Sequence, residues 1–489
     1  MKALLDPGRV LTAGLGRLRA ELDLPDSFPP EVLAAAREAA ASSPDDHRDL
    51  TGLAFVTLDP ASSTDLDQAF HIERSGADLL LRYAIADVGW FVRPGGVLDQ
   101  EAWRRGMTQY LPGGRVPLYP PTLGEGAASL LPDGPRPAVV FAVRIGPEGE
   151  SRIDGVERAV IRSRAKLGYE TARPEELPPL LGEVGRRVRA AEQARGAACV
   201  DPPEQELVRD ADGRFALTIK PPLQAEVDNA ALSLAANLAV AQLFIDHRGG
   251  LFRVLAEPDA EAVDRLRVSA RARGIVWAEN EGLPALERRL DVANPGEAAF
   301  MLEIRKASRS ASYAPWAEGE RPWHAAMAAS YAHATAPLRR LADRYVTGAA
   351  LALARTGKWP EGADEAFHSL PPVMANAARI AGRLTSAALD LAEAVLLDGR
   401  EGEAFNAVVT EVEGGRARVQ LLDLPVVTRI TADGLTPGAT IGLRLERADP
   451  ETRETRFSLA SAAMEQAPGA SLRGRERPAA RVVGGRRPK

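Results

Sequence analysis

The segment Asp59-Pro60-Ala61-Ser62-Ser63-Thr64-Asp65-Leu66-Asp67-Gln68 concentrates side chains able to do chemistry. An apolar run, Phe55, Val56 and Leu58, delivers Asp59 to a polar loop, and two more carboxylates follow at Asp65 and Asp67. In an extended loop Asp65 and Asp67 project to one side and Leu66 to the other. Three carboxylates held close repel one another unless a cation neutralises them, and hard oxygen ligands select Mg²⁺ or Mn²⁺ over softer metals. A calcium EF-hand is excluded, because Ala61 and Ser63 stand where that loop needs acidic or amide oxygens. Spacing alone leaves two uses open: a cation site, or aspartates acting as turn and capping residues beside Ser and Thr.

A second constellation runs from Tyr331 to Asp343 and contains His333, Thr335, Pro337, Arg339 and Arg340. Pro337 suits the first position of a helix, where its missing N–H costs nothing. Arg339 and Arg340 then fall in the first turn, where the helix dipole disfavours cations. A phosphate sharing the site would compensate them, because free N–H groups at that end also attract anions. The competing use is an ion pair between one arginine and Asp343.

These residues need a frame. Residues 1–47 read as a helical N-terminal segment, with Glu31 to Ala41 as its clearest helix. Phe70–Ile72 and Leu79–Ile85 read as strands of a hairpin, and Val139–Ile145 as another strand. Glu101 to Tyr110 reads as a helix broken by Leu111-Pro112-Gly113-Gly114. Helices are predicted at 177–198, at 224–245, and over most of 260–397. From Glu403 onward five short strands with intervening glycines suggest a small closed barrel of the oligonucleotide-binding type. The end, 462–489, is basic and without periodicity, and reads as a disordered tail offering salt-sensitive attraction to phosphates or mere solubility.

Composition narrows the classes. The 489 residues suggest about three domains. One cysteine, Cys199, rules out an intrachain disulfide and a cysteine zinc site, and the six histidines are scattered. The apolar stretch from Ala230 to Ile245 falls short of the roughly 20 residues a bilayer needs and reads as a buried helix. The first residues lack the apolar core of a signal peptide, so a cytoplasmic protein with no membrane association is expected. A net charge of −6 argues mildly against a nucleic-acid partner but leaves room for a locally positive cleft.

The two constellations, in this order and separation, closely resemble the RNB catalytic domain of the ribonuclease II family. Asp59, Asp65 and Asp67 match its D-x5-D-x-D-D pattern, and Thr335 to Asp343 match its T-S-P-I-R-R-Y-x-D pattern. Ile85-Ala86-Asp87-Val88, Tyr110-Leu111-Pro112-Gly113 and the stretch from Glu226 to Asn237 also resemble family segments, and 403–461 resembles the family's C-terminal S1 barrel. The resemblance implies an α+β architecture: a large mixed RNB domain over 48–398, then the five-stranded barrel. A form without the N-terminal cold-shock domains is expected, since only about 50 residues precede the RNB domain in this sequence.

The resemblance also implies a hydrolytic, metal-dependent exoribonuclease that degrades single-stranded RNA from the 3′ end to 5′-mononucleotides. By position, Asp59, Asp65, Asp67 and Gln68 are expected to hold Mg²⁺ (or Mn²⁺), with Asp67 the most sensitive to substitution. Arg339 would clamp the scissile phosphate, with Arg340 as a further RNA contact, and Tyr110 would stack on the terminal nucleotide. No obligatory protein partner is evident, and a monomer is expected. Three departures from the pattern matter. Gln68 replaces a carboxylate, Ala336 replaces a serine, and a family glutamate falls at Ala388, its role missing or moved to Asp390 or Glu393. Gln68 and Ala388 support one alternative, an RNA-binding protein with a decayed nuclease site.

Overall fold

The computed structural model describes residues 2–460 apart from 5–8, 113, 198–203, 210–214, 221–222, 292–293, 308–309, 414, 432–433 and 437. The basic tail and Cys199 lie outside the described residues. The N-terminal segment is not purely helical: strand β1 (Lys2–Leu4) precedes helices α1 (Val10–Glu21) and α2 (Pro30–Ala40).

Next come β2 (Arg48–Asp49), β3 (Phe55–Asp59), β4 (Gln68–Ser75) and β5 (Asp78–Ala86). β4 and β5 form the expected hairpin, with Ser75 opposite Asp78 and Gly76 at φ 67° in the turn, a conformation that favours glycine. Helices α3 (Val88–Phe91) and α4 (Val97–Arg105) lead into a small hairpin, β6 (Gln109–Leu111) and β7 (Gly114–Val116). The helix expected over 101–110 therefore stops early. Gly106 at φ 71° leaves the helical region, and Tyr110 sits on a strand instead.

Two long strands, β8 (Pro135–Ile145) and β9 (Ser151–Gly168), complete the central sheet. β9, absent from the sequence-based reading, closes it: the strand pairs antiparallel with β8 and then, near its end, parallel with β3. Because β3, β4, β5 and β8 are consecutive neighbours, the sheet returns on itself. Helix α5 (Leu181–Arg195) follows, then β10 (Glu204–Arg209) and β11 (Phe215–Lys220), which join β1 in a three-stranded sheet.

The rest is mainly helical. α6 (Gln224–Asp246) runs through the main core, burying Leu232, Ala236, Val240 and Phe244. By length and composition it could cross a membrane, but most of it is buried inside the protein. β12 (Leu251–Val254) pairs with β13 (Ser312–Pro315) around α7 (Ala260–Ala272), α8 (Leu283–Glu287) and α9 (Pro295–Ala307). α10 (Leu341–Thr356) and the long α11 (Ala363–Leu397) then lead to the barrel.

The barrel strands are β14 (Ala404–Glu413), β15 (Arg416–Leu421), β16 (Val427–Thr431), β17 (Thr440–Asp449) and β18 (Glu454–Leu459). Their order is β16-β15-β14-β17-β18, and the Thr428 and Thr455 hydroxyls, 3.5 Å apart, bring the two edge strands together. Alternate residues Ala417, Val419 and Leu421 meet Leu443, Leu445 and Phe457 inside. The fold is thus α+β, a mixed domain followed by a near-closed five-stranded barrel.

Candidate active site

The acidic loop links β3 to β4 and is pinned from both sides. Leu66 is fully buried; its N–H donates to the Ser129 hydroxyl at 2.9 Å, and its carbonyl accepts the Leu130 N–H at 3.0 Å. The Ser129 hydroxyl in turn donates to the Thr64 carbonyl at 2.8 Å. Lys166 on β9 donates to the Ala61 carbonyl at 2.9 Å. Gly168, paired with Asp59, is a glycine because a Cβ there would come within 2.9 Å of the Ala61 Cβ. The loop therefore crosses β9 in close contact, with its aspartates turned inward.

Arg339 arrives from a turn, not from a helix. α10 begins at Leu341, so Pro337 is not its first residue, and residues 337–339 form a turn ahead of it. Two aspartates hold that turn. The fully buried Asp343 accepts the Ala336 N–H at 2.8 Å, and Asp67 accepts the Leu338 N–H at 2.7 Å. The other oxygen of Asp67 lies 3.4 Å from Arg339 Nε. The Thr108 N–H adds a bond to the Arg339 carbonyl at 3.0 Å. Asp67 is thus both a structural acceptor and the partner of Arg339. The Arg339 side chain stays 44% exposed and able to meet a ligand.

Burial pushes the Asp67 carboxyl up to about 8, against the opposing charge of Arg339 and the Leu338 N–H bond. Burial likewise raises Asp59 to about 7, with Arg339 and Lys166 opposing and Asp65 reinforcing. Asp59 Oδ2 is buried without a hydrogen-bond partner. Two desolvated carboxylates, one carrying an orphaned oxygen, are what a hard cation would satisfy. Among the described residues no three His, Cys, Asp or Glu side chains gather at ligating spacing. The residues fit a cation held by Asp59 and Asp67, the remaining positions going to water and substrate oxygens, as Mg²⁺ commonly accepts.

The other expected site residues divide. Gln68 opens β4 and donates its amide to the Thr335 carbonyl, tying the acidic loop to the arginine segment and leaving its oxygen as an acceptor. Tyr110 is 50% exposed, its hydroxyl donating to Asp65 at 3.3 Å. Arg340 takes the alternative use: it is half-buried and paired with the fully buried Asp343 at 2.7 Å. Ala388 packs with Leu11, Leu384 and Leu391. Neither proposed substitute for the family glutamate joins the site. Glu393 accepts the Val427 N–H of β16 at 2.8 Å, and Asp390 faces Arg453 and Arg429 of the barrel. Sequence reasoning missed Arg115, which bonds to Asp65 and lies 2.9 Å from Glu125. Its only sequence signal is a charged residue on a short strand beside Tyr110.

The chain is similar to known proteins over most of its length. Residues 47–349 match the RNB domain, and residues 403–460 match the RNase II-type exonuclease C-terminal S1 domain. Ribonuclease R of Aquifex aeolicus is 28% identical over 428 residues, covering 80% of this chain and 59% of that protein. Exoribonuclease 2 of Serratia proteamaculans is 28% identical over 433 residues, covering 82% and 65%. The chain thus spans about three fifths of the length of these relatives. The structure of Mycoplasma genitalium RNase R in complex with ribose methylated single-stranded RNA superposes with a TM-score of 0.81 at 18% identity. That match covers 92% of this chain and 78% of the other.

Proposed function

The chain belongs to the RNB family and carries its RNase II-type C-terminal S1 domain, and from that premise we propose that it is an exoribonuclease. In this reading it hydrolyses single-stranded RNA from the 3′ end, releases 5′-mononucleotides and uses Mg²⁺ or Mn²⁺. The observation that carries the proposal is the ion pair of Asp67 with Arg339, whose charge also acts on the desolvated Asp59.

When bound, the cation supplies positive charge for the phosphodiester oxygens and makes the attacking water more acidic. Asp59 and Asp67 would hold it, and Gln68 ties the acidic loop to the arginine turn through the Thr335 carbonyl. Arg339 is tethered at its backbone by Thr108 and at its Nε by Asp67, leaving its terminal nitrogens for the scissile phosphate. There its fixed charge stabilises the charge that develops as the P–O bond breaks. Tyr110 offers an exposed ring on which any terminal base can stack. The barrel would grip the RNA upstream.

The test is purified protein with RNA oligomers labelled at either end, with Mg²⁺, Mn²⁺ or chelator. Label at the 3′ end should appear at once as mononucleotide, while 5′-labelled RNA shortens stepwise, and chelator or Asp67→Asn should stop both. Tight binding of RNA without turnover in either metal would overturn the proposal in favour of a decayed site.

A further inference from the structure

We infer that Asp65 is the catch of the β6–β7 hairpin, closed by Arg115 and backed by Glu125, and that Arg115 is thereby a positioning residue for Tyr110. The consequence for product length rests on the nuclease reading; the catch itself does not.

Tyr110 and Arg115 are direct cross-strand partners on this hairpin. Between them they take both oxygens of one carboxylate: Arg115 Nη1 bonds to Asp65 Oδ1, and the Tyr110 hydroxyl donates to Oδ2 at 3.3 Å. The guanidinium is held from behind as well. Its Nε donates to Glu125 at 3.2 Å, Nη2 lies 2.9 Å from the same carboxylate, and Nη2 also donates to the Thr64 hydroxyl. Asp65 is only 12% exposed in this clasp. Its surroundings differ from those of Asp59, which keeps an orphaned buried oxygen, and of Asp67, which faces Arg339. Asp65 is spoken for by the hairpin.

The catch adds to the hairpin's anchorage on the body of the protein. The hairpin's strands are three residues each, and a short two-stranded hairpin is marginal in water. Val116 anchors one side in the apolar cluster with Leu11, Leu15 and Leu384. On the other strand Leu111 packs on the same cluster and Gln109 donates to the Ala377 carbonyl at 3.1 Å, while the half-exposed Tyr110 between them meets the acidic loop through the Asp65–Arg115–Glu125 bridge.

Three readouts test this in the full-length protein. First, Arg115→Met and Asp65→Asn should each speed amide exchange over 109–116 by about tenfold, the scale of one charge-assisted hydrogen bond, and the double variant should be no faster than either. Second, in Mn²⁺ titrations without RNA, Asp65→Asn should bind nearly as the wild type does, while Asp59→Asn should lose affinity. Third, Arg115→Met should lengthen the final RNA product and raise KM more than it lowers kcat, and Arg115→Lys should restore much of both. Unchanged exchange in Arg115→Met, or a loss of Mn²⁺ affinity in Asp65→Asn equal to that in Asp59→Asn, would overturn the inference. A wild type that turns over no RNA would sink the nuclease reading alone, because the first two readouts need no turnover.

Discussion

Replacing Asp67 with asparagine should make the metal-free protein more stable while destroying its activity. Burial holds the Asp67 carboxyl at about 8 in the fold, against an ordinary value of 3.8. The folded chain therefore binds this proton more tightly than the unfolded chain across that interval. The stability it contributes is complete below about pH 4 and is lost as pH rises through about 8. At pH 7 that loss corresponds to roughly 4 kcal/mol. An asparagine removes the titration and can keep its carbonyl oxygen on the Leu338 N–H, but it places an amide N–H₂ beside Arg339. About half of the loss should then be recovered, about 2 kcal/mol. The assay is urea unfolding in chelator from pH 5.5 to 8.5, comparing wild type with Asp67→Asn. The gap between them should widen in favour of the variant as pH rises and level off above pH 8. Added Mn²⁺ should reverse the order, because a ligand bound only by the folded wild type stabilises it by mass action. A variant less stable than wild type at every pH, or a gap independent of pH, would refute the reasoning.

Other outcomes follow from the same geometry. Mn²⁺ affinity should rise between pH 6 and 8 with proton release, because Asp59 and Asp67 must ionise to bind; calorimetry in buffers of different ionisation enthalpy would show it. Arg339→Ala should lower kcat about 10²–10³-fold with RNA binding largely kept, as for loss of one fixed transition-state donor. Arg340→Ala should instead cost about 3–5 kcal/mol of stability by stranding the fully buried Asp343, read as a fall in Tm. Tyr110→Ala should weaken binding of the last nucleotide by about 1–3 kcal/mol, seen as an altered final product length.

Much of this site was legible because its signals are local. The β3 run, the polar loop and the β4–β5 hairpin follow from apolar alternation and a Gly-containing turn, and the barrel strands from their short, glycine-separated runs. What was not legible depends on partners far away in the chain. Pro337 looks like a helix start, yet Asp67 and Asp343 hold its segment as a turn through backbone N–H groups. Tyr110 follows a helical pattern that Gly106 ends. β9 was missed because only part of its length alternates between buried and exposed; it reaches two different neighbours along its course. The pairing of Arg115 with Asp65 crosses 50 positions of sequence, and no spacing rule announces it.

If Asp59 and Asp67 place a divalent cation on the phosphate that Arg339 clamps, sulfur in place of an oxygen at the 3′-terminal linkage will report it. The direct measurement is single-turnover cleavage of RNA carrying one stereodefined phosphorothioate at that linkage. We expect one stereoisomer to be strongly slowed in Mg²⁺ and restored by the more thiophilic Mn²⁺, with no restoration in Asp67→Asn. Equal rates for both stereoisomers in Mg²⁺, or full cleavage in chelator, would contradict the account.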